Sequence, residues 1–467
     1  MPNAVTASRL VILGATGDLT ARYLLRALAE LVSAGALPRD VDIVGVARDP
    51  WDDTRFRLEA SRRLERHASD LSREARERLV SRLRYVPGDV AEPDALREPL
   101  GDPAGPIVAF LALPPALFGA AIRGLAAAGL GGDGRLVVEK PFGTDLESAR
   151  DLNRLLHRHF TEPAVFRIDH FLGKQTVQNI LGLRFANRLF EPLWCAEHIS
   201  SIEIVWDETV ALEGRAGYYD HTGALRDMVQ NHLLQLVCFV AMERPAGLGE
   251  GPLRDAKVEL LRSVRRLTPH DASRLTRRAR YRAGAVQGRP VPDYGAEPGV
   301  DAARGTETFT DVTLFVDNRR WLNVPFRLRT GKALAADRRE VRVAFRPVER
   351  LPFGQPEEPG PNLLTLSMDP DRLSVDLALN GAGDPFCLDP ARWDLELAPQ
   401  ELSPYARLLM DVLEGDPALF IRGDEAEESW RIVEPILEAW DAGASPLLDY
   451  RAGSDGPSPS GGEPWEI

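Results

Sequence analysis

Apolar positions along this chain fall into two textures. In the first third, short continuous apolar runs alternate with stretches of helical spacing. Arg9 to Leu13, Val41 to Ala47, Arg84 to Gly88, Ile107 to Ala112 and Arg135 to Glu139 read as strands. Leu24, Leu25, Leu28 and Leu31 recur at helical spacing, and a charged helical stretch fills 52–82. Uniformly apolar strands that alternate with helices imply a parallel, doubly wound sheet covered on both faces. An α/β Rossmann-like dinucleotide-binding domain is therefore expected over residues 1–165.

From about 199 the texture changes. Ile199 to Trp206 alternates like a half-buried strand, and 224–242 reads as one long apolar helix. Further strands recur at 308–317, 323–329, 340–346, 362–368 and 372–378 with turns and no helices between them, which implies a mostly antiparallel sheet. A helical stretch follows at 402–442. Residues 166–452 are thus expected to form a larger α+β domain. The Gly-, Ser- and Pro-rich segment 453–467 is expected to be a mobile tail.

Composition narrows the functional classes. At 467 residues, two domains are the prior. A net charge of −13 disfavours nucleic acid and anionic membrane as partners, so an anionic small substrate needs a local cationic pocket. No stretch approaches the ~20 apolar residues of a membrane span. Cys195, Cys238 and Cys387 have no metal-ligand spacing and read as reduced core thiols, which points to a cytoplasmic protein. No metal site is expected.

Gly14-Ala-Thr16-Gly17 stands between the first strand and the first helix, as a phosphate-binding turn does. Glycines let the backbone approach a pyrophosphate, and the helix start offers N–H groups. Two glycines alone also describe a tight strand-to-helix turn. Arg48 follows the second strand, where an acid would bind a ribose 2′-hydroxyl; a guanidinium suits a 2′-phosphate, so NADP is favoured and NAD stays possible. A solvated loop Arg is the bland reading, and Asp49 could itself accept from a ribose. Lys140, in Glu139-Lys-Pro-Phe-Gly143, ends the last strand of this domain at the edge where ligands bind, and Lys140-Pro141 is a candidate cis peptide.

Two octapeptides carry the chemistry. Arg167-Ile-Asp-His-Phe-Leu-Gly-Lys174 and Leu225-Arg-Asp-Met-Val-Gln-Asn-His232 place ionisable groups in otherwise apolar stretches. Burying such groups is unfavourable unless they pair or serve chemistry. His232 reads as a general base, with Asp169 to hold its imidazole. A lone His on a buried helix is more often a core histidine, but Asp227, Gln230 and Asn231 share this one. His170 and Lys174, four apart at a helix start, read as an anion clamp, or as a half-buried His and a surface Lys.

Together and in this order, these motifs resemble the glucose-6-phosphate dehydrogenase family. The likeness covers nearly the whole chain, from Gly14-Ala-Thr-Gly-Asp-Leu-Thr20 to Tyr405-Ala-Arg-Leu-Leu-Met-Asp411 and Trp430 to Ile436, with Gly217-Tyr-Tyr-Asp220 and Gly331-Lys-Ala-Leu334 between. The resemblance implies oxidation of a sugar phosphate at C1 with hydride transfer to NADP, in a homodimer or homotetramer. It implies His232 as base, Asp169 as its partner, and His170 and Lys174 as phosphate ligands. Lys140, Glu208, Asp227 and Lys332 would serve the sugar, and Gly14, Thr16, Gly17, Asp18, Leu19, Arg48 and Lys140 the cofactor. Four positions depart from the family pattern. Tyr23 replaces a Lys, Phe171 a Tyr, Asp337 a cation and Met368 a Gln, with Arg338 one residue on as a possible substitute. All four fall on the substrate side, so a different sugar or sugar phosphate is the alternative, and a non-catalytic NADP-binding regulator is a second.

Overall fold

The computed structural model describes residues 6–351, 360–383 and 387–457. The chain divides into two compact units, neither of them one continuous stretch. The first comprises residues 1–175, 245–255 and 400–427, and the second 176–244, 256–399 and 428–467.

The first unit is built on six parallel strands: β1 (Arg9–Leu13), β2 (Asp42–Ala47), β3 (Leu83–Pro87), β4 (Ile107–Leu111), β5 (Arg135–Glu139) and β6 (Val165–Ile168). Their order, β3-β2-β1-β4-β5-β6, is doubly wound with its switch point between β1 and β4. Leu10, Val11, Ile12 and Leu13 are all buried, as a strand covered on both faces requires. The five strands expected here are present. The sixth was too short to be seen in the sequence, and the expected division between 165 and 166 runs through it. Helix Pro404–Glu414 returns to this unit, where Ala406, Leu408, Leu409 and Val412 join the core cluster of β1 and helix Leu25–Ser33.

The second unit carries β7 (Ile199–Asp207), β8 (Thr276–Arg282), the hairpin β9 (Gly284–Val286) and β10 (Arg289–Val291), β11 (Phe309–Phe315) and β12 (Pro325–Gly331). It continues with β13 (Arg338–Phe345), β14 (Leu363–Met368), β15 (Asp371–Asn380), β16 (Leu388–Glu396) and β17 (Leu447–Arg451). Nine of these form one sheet, ordered β16-β15-β14-β13-β7-β12-β11-β8-β17. The sheet is mostly antiparallel, as expected, but β12 pairs with β7 in parallel, and so does β17 with β8. Parallel pairing of β7 and β12 sends both chains out at the same edge.

Two sequence expectations change here. The long helix over 224–242 is π-helical over Leu225–Leu233 and α-helical only over Leu234–Ala241. Of the three free cysteines only Cys238 is buried; Cys195 is half-buried and Cys387 exposed, so they are not all core thiols. In the segment read as a tail, the Gly453 N–H donates to the Ala333 carbonyl (2.8 Å) and the Asp455 carbonyl accepts from Arg329 (2.6 Å). Residues 458–467 lie outside the described residues. Among the described residues no helix is long and apolar enough to cross a membrane.

Candidate active site

In the first unit, the candidate residues stand at the carboxyl ends of the parallel strands. Gly14 follows β1 with φ +88°, and a Cβ there would lie 2.1 Å from the Ala112 carbonyl oxygen beyond β4, so only glycine fits. The Gly17 N–H donates to the Gly14 carbonyl (3.0 Å), and the Thr20 hydroxyl donates to the same oxygen (3.1 Å). A π-helical turn, Thr20–Leu24, then leads into helix Leu25–Ser33. The tight turn at the switch point leaves a backbone cradle that a pyrophosphate fits. Asp18 forms a pair with Arg22 at 2.8 Å, exposed enough to yield readily to a ligand. Arg48 is exposed directly after β2. Arg63, which the sequence reading passed over, donates to the Thr16 carbonyl (2.9 Å) from helix Asp53–His67 and braces this turn.

Lys140 follows β5, and the Lys140–Pro141 bond is cis. One strand further, β6 ends at Asp169, which is buried and accepts the Phe171 N–H on Oδ1 at 3.0 Å. That bond caps a 3₁₀ turn over His170–Gly173, so Asp169 shapes the loop that carries His170 and Lys174. Lys174 closes the turn and immediately precedes helix Gln175–Ala186. The Gln400 amide donates to the Gly173 carbonyl (2.7 Å), and the Gln175 N–H donates to the Gln400 side chain (3.1 Å). His170 packs edge-on to Phe171 and flat against Tyr405, a residue quoted in the family likeness but given no role from sequence.

In the second unit, the π-helical winding decides how Asp227 and His232 relate. At 3.6 residues per turn, positions five apart point about 140° away from each other. With i→i+5 hydrogen bonding they are separated by one turn and share a side. A π segment is invisible to hydrophobic periodicity, and such segments occur mostly at functional sites. Its start is held by Glu307, whose buried carboxylate accepts the Leu225 N–H at 2.9 Å. His232 is buried and Asp227 half-buried. The neighbouring Tyr219 phenol is pushed well above its ordinary range by burial and then by Asp227, so it stays protonated.

Glu208 and Lys332 emerge side by side because β7 and β12 run parallel, with Asp207 opposite Gly331. The Lys332 ammonium donates to Glu208 at 2.7 Å and lies 5.4 Å from the centre of the Tyr219 ring. Asp337, the departure from a family cation, ties down a loop: it accepts the Thr209 N–H at 2.7 Å and the Thr209 hydroxyl at 3.2 Å. Arg338 donates to Asp207 at 2.6 and 3.0 Å. The cation proposed as a substitute is therefore already committed to a strand-end carboxylate.

Comparison with known proteins accounts for both units. Residues 11–179 match the family model described as the glucose-6-phosphate dehydrogenase NAD-binding domain, and 181–461 match the C-terminal domain of the same family. The chain belongs to the glucose-6-phosphate dehydrogenase family. It is 44% identical over 463 residues to the glucose-6-phosphate 1-dehydrogenase of Gluconobacter oxydans, covering 96% of this chain and 94% of that one. It is 40% identical over 474 residues to the enzyme of Treponema pallidum, covering 96% and 92%. Among solved structures, the enzyme of Mycobacterium avium superposes with a TM-score of 0.87 at 37% identity, covering 97% of this chain and 95% of that one. A glucose-6-phosphate dehydrogenase in complex with its substrate glucose 6-phosphate superposes with a TM-score of 0.88 at 29% identity, covering 99% and 97%.

Proposed function

We propose that this chain oxidises glucose 6-phosphate at C1 to the 6-phosphogluconolactone with NADP. The observation that carries the reading is a full-length match to the family of that activity in a chain that keeps His232, Asp169, His170 and Lys174. His232 takes the proton of the C1 hydroxyl. As the O–H electrons form the carbonyl, the hydrogen on C1 departs with its electron pair. When bound, NADP supplies the hydride acceptor. Asp169 holds the imidazole in the accepting tautomer and stabilises the imidazolium that results.

The other assignments follow the same chemistry. His170 and Lys174 hold the phosphate, and Glu208 and Asp227 accept from sugar hydroxyls. Lys332 sits beside Glu208, and Lys140 serves both sugar and nicotinamide. The Gly14–Leu19 turn cradles the pyrophosphate, with Arg48 on the 2′-phosphate. The deciding experiment measures kcat/KM for a panel of hexoses and hexose phosphates with NADP and with NAD. Highest turnover on glucose 6-phosphate with NADP supports the reading, and loss of NADP preference in Arg48→Ala supports the Arg48 assignment. Highest turnover on another sugar would move the substrate, and no turnover at all would leave the regulator.

We infer a homodimer or homotetramer joined through the large sheet. Its outer strands expose Trp393, Leu395 and Leu379, and a groove of about 900 Å³ beside them is lined by Leu189, Val348 and Trp393. Isolated apolar side chains are ordinary, but a contiguous patch of this kind marks an interface. Light scattering on Trp393→Glu should show dissociation, and an unchanged mass places the interface elsewhere. Three free cysteines support a cytoplasmic location, which cell fractionation tests.

A further inference from the structure

Three aromatic rings of the first unit form a column, of which only His170 has a role assigned above. Tyr23, on the π-helical turn after the phosphate cradle, stacks on Tyr405 with ring centres 5.2 Å apart and planes 24° from parallel. On its other face Tyr405 stacks on His170 at 5.6 Å and 11°. The edge of His170 is closed by Phe171, at 5.0 Å and 82°. The Tyr405 phenol faces Glu139, the last residue of β5, and Glu139 is buried.

We propose that Tyr405 is the positioning residue of the phosphate site: its ring fixes the plane of the His170 imidazole, and Tyr23 covers its outer face. This inference rests on the reading of His170 as a phosphate ligand.

Geometry supplies the argument. The torsion that turns a histidine ring is broad, so a half-exposed imidazole does not hold one plane unaided. A parallel ring on its face and a perpendicular one at its edge remove that freedom, and the imidazole N–H can then meet a phosphate oxygen without reorganising. The column is fixed at its middle ring, because Tyr405 lies in the first turn of helix Pro404–Glu414 and Gln400 ties the same segment to Gly173. Gly173 itself is pressed against Pro404, whose carbonyl oxygen would lie 2.4 Å from an added Cβ. Glu139 also suits its place beside the column. Burial pushes its carboxyl up to about 8 against the opposing charge of Lys140, so at neutral pH it is largely neutral and puts little charge beside the phenol. Tyr23, where the family has a Lys, completes an aromatic support in place of a charged one.

The test compares kcat/KM for glucose 6-phosphate and for glucose in the wild type, Tyr405→Leu, Tyr405→Phe and Tyr23→Leu. Aromatic stacking of this kind converts to about two- to tenfold in affinity. Tyr405→Leu should lower kcat/KM for glucose 6-phosphate about tenfold through KM, with kcat held and glucose turnover unchanged. Tyr405→Phe, which keeps the ring and folds most safely, and Tyr23→Leu should each lose about two- to threefold in the same selective way. Equal losses on both sugars, or no loss on glucose 6-phosphate, overturn the inference alone. A wild type that does not distinguish the two sugars overturns the phosphate assignment of His170 beneath it.

Discussion

The Lys332 ammonium lies 2.7 Å from the Glu208 carboxylate, across the shared edge of two parallel strands. Both residues are partly buried, so the pair is less screened than a surface ion pair. It sets the Glu208 carboxylate before any sugar arrives. Glu208→Ala removes the proposed acceptor for a sugar hydroxyl and releases the Lys332 side chain. Kinetics should show kcat/KM for glucose 6-phosphate falling about ten- to a hundredfold, the range of one hydrogen bond to a charged group at ~1.5–3 kcal/mol. KM for NADP should stay within twofold. A change confined to NADP would remove Glu208 from the sugar site.

His232→Asn keeps a polar side chain of similar bulk on the π-helical segment and removes the proposed base. General-base catalysis contributes roughly 10²- to 10⁴-fold, so kcat should fall by that factor while KM for glucose 6-phosphate moves only a few-fold. Asp169 needs a gentler substitution, because its Oδ1 also caps the His170–Gly173 turn. Asp169→Asn retains an oxygen for the Phe171 N–H and loses the charge proposed to stabilise the imidazolium. Its kcat should fall with Tm nearly unchanged, whereas Asp169→Ala should lower both. Single-turnover kinetics and thermal melts separate the two effects.

Phe171 is buried against the edge of His170. Phe171→Tyr places a hydroxyl in that apolar contact, which destabilises the free protein by about 1–3 kcal/mol if it finds no partner there. The same hydroxyl gains a charge-assisted bond once a phosphate is present. Both effects push binding in one direction. Tm without substrate should drop by a few degrees, and KM for glucose 6-phosphate should fall about tenfold, with glucose turnover unaffected. A KM that does not fall would show that position 171 faces away from the phosphate.

Much of this was legible in the sequence, and what was not has identifiable causes. Uniformly apolar β1, β2 and β4 announced a parallel sheet, and Gly14 announced a turn that a Cβ would block. Those signals are local. The π-helical winding that brings Asp227 and His232 to one side has no local signature, because the apolar positions of Leu225–Leu233 suit an α-helix equally well. β6 is only Val165–Ile168 and reads as part of the motif it carries. Tyr405 was beyond reach because its partners, Tyr23, Glu139 and His170, are more than two hundred residues away in the chain. Arg338 is hidden for a related reason, since Asp207 holds it. A free cation and one held by Asp207 look identical in sequence.

Glu139 gives the fold a pH dependence of known sign. Its carboxyl is raised from an ordinary 4.5 to about 8, chiefly by burial, with Asp169 adding to the shift and Tyr405 and Lys140 opposing it. Between these values the folded protein keeps a proton that the unfolded chain releases, so unfolding is favoured as pH rises. The stabilising contribution is complete below about 4.5 and is lost progressively towards about 8. The full swing amounts to a few kcal/mol, at ~1.4 kcal/mol for each tenfold change in proton affinity. Glu139→Gln keeps the shape but cannot ionise. Thermal melts of both proteins from pH 5 to pH 8.5 should show the variant gaining on the wild type steadily as pH rises, by several degrees at the alkaline end. A constant difference would mean that Glu139 is already ionised in the fold, with water or a cation at its inner oxygen.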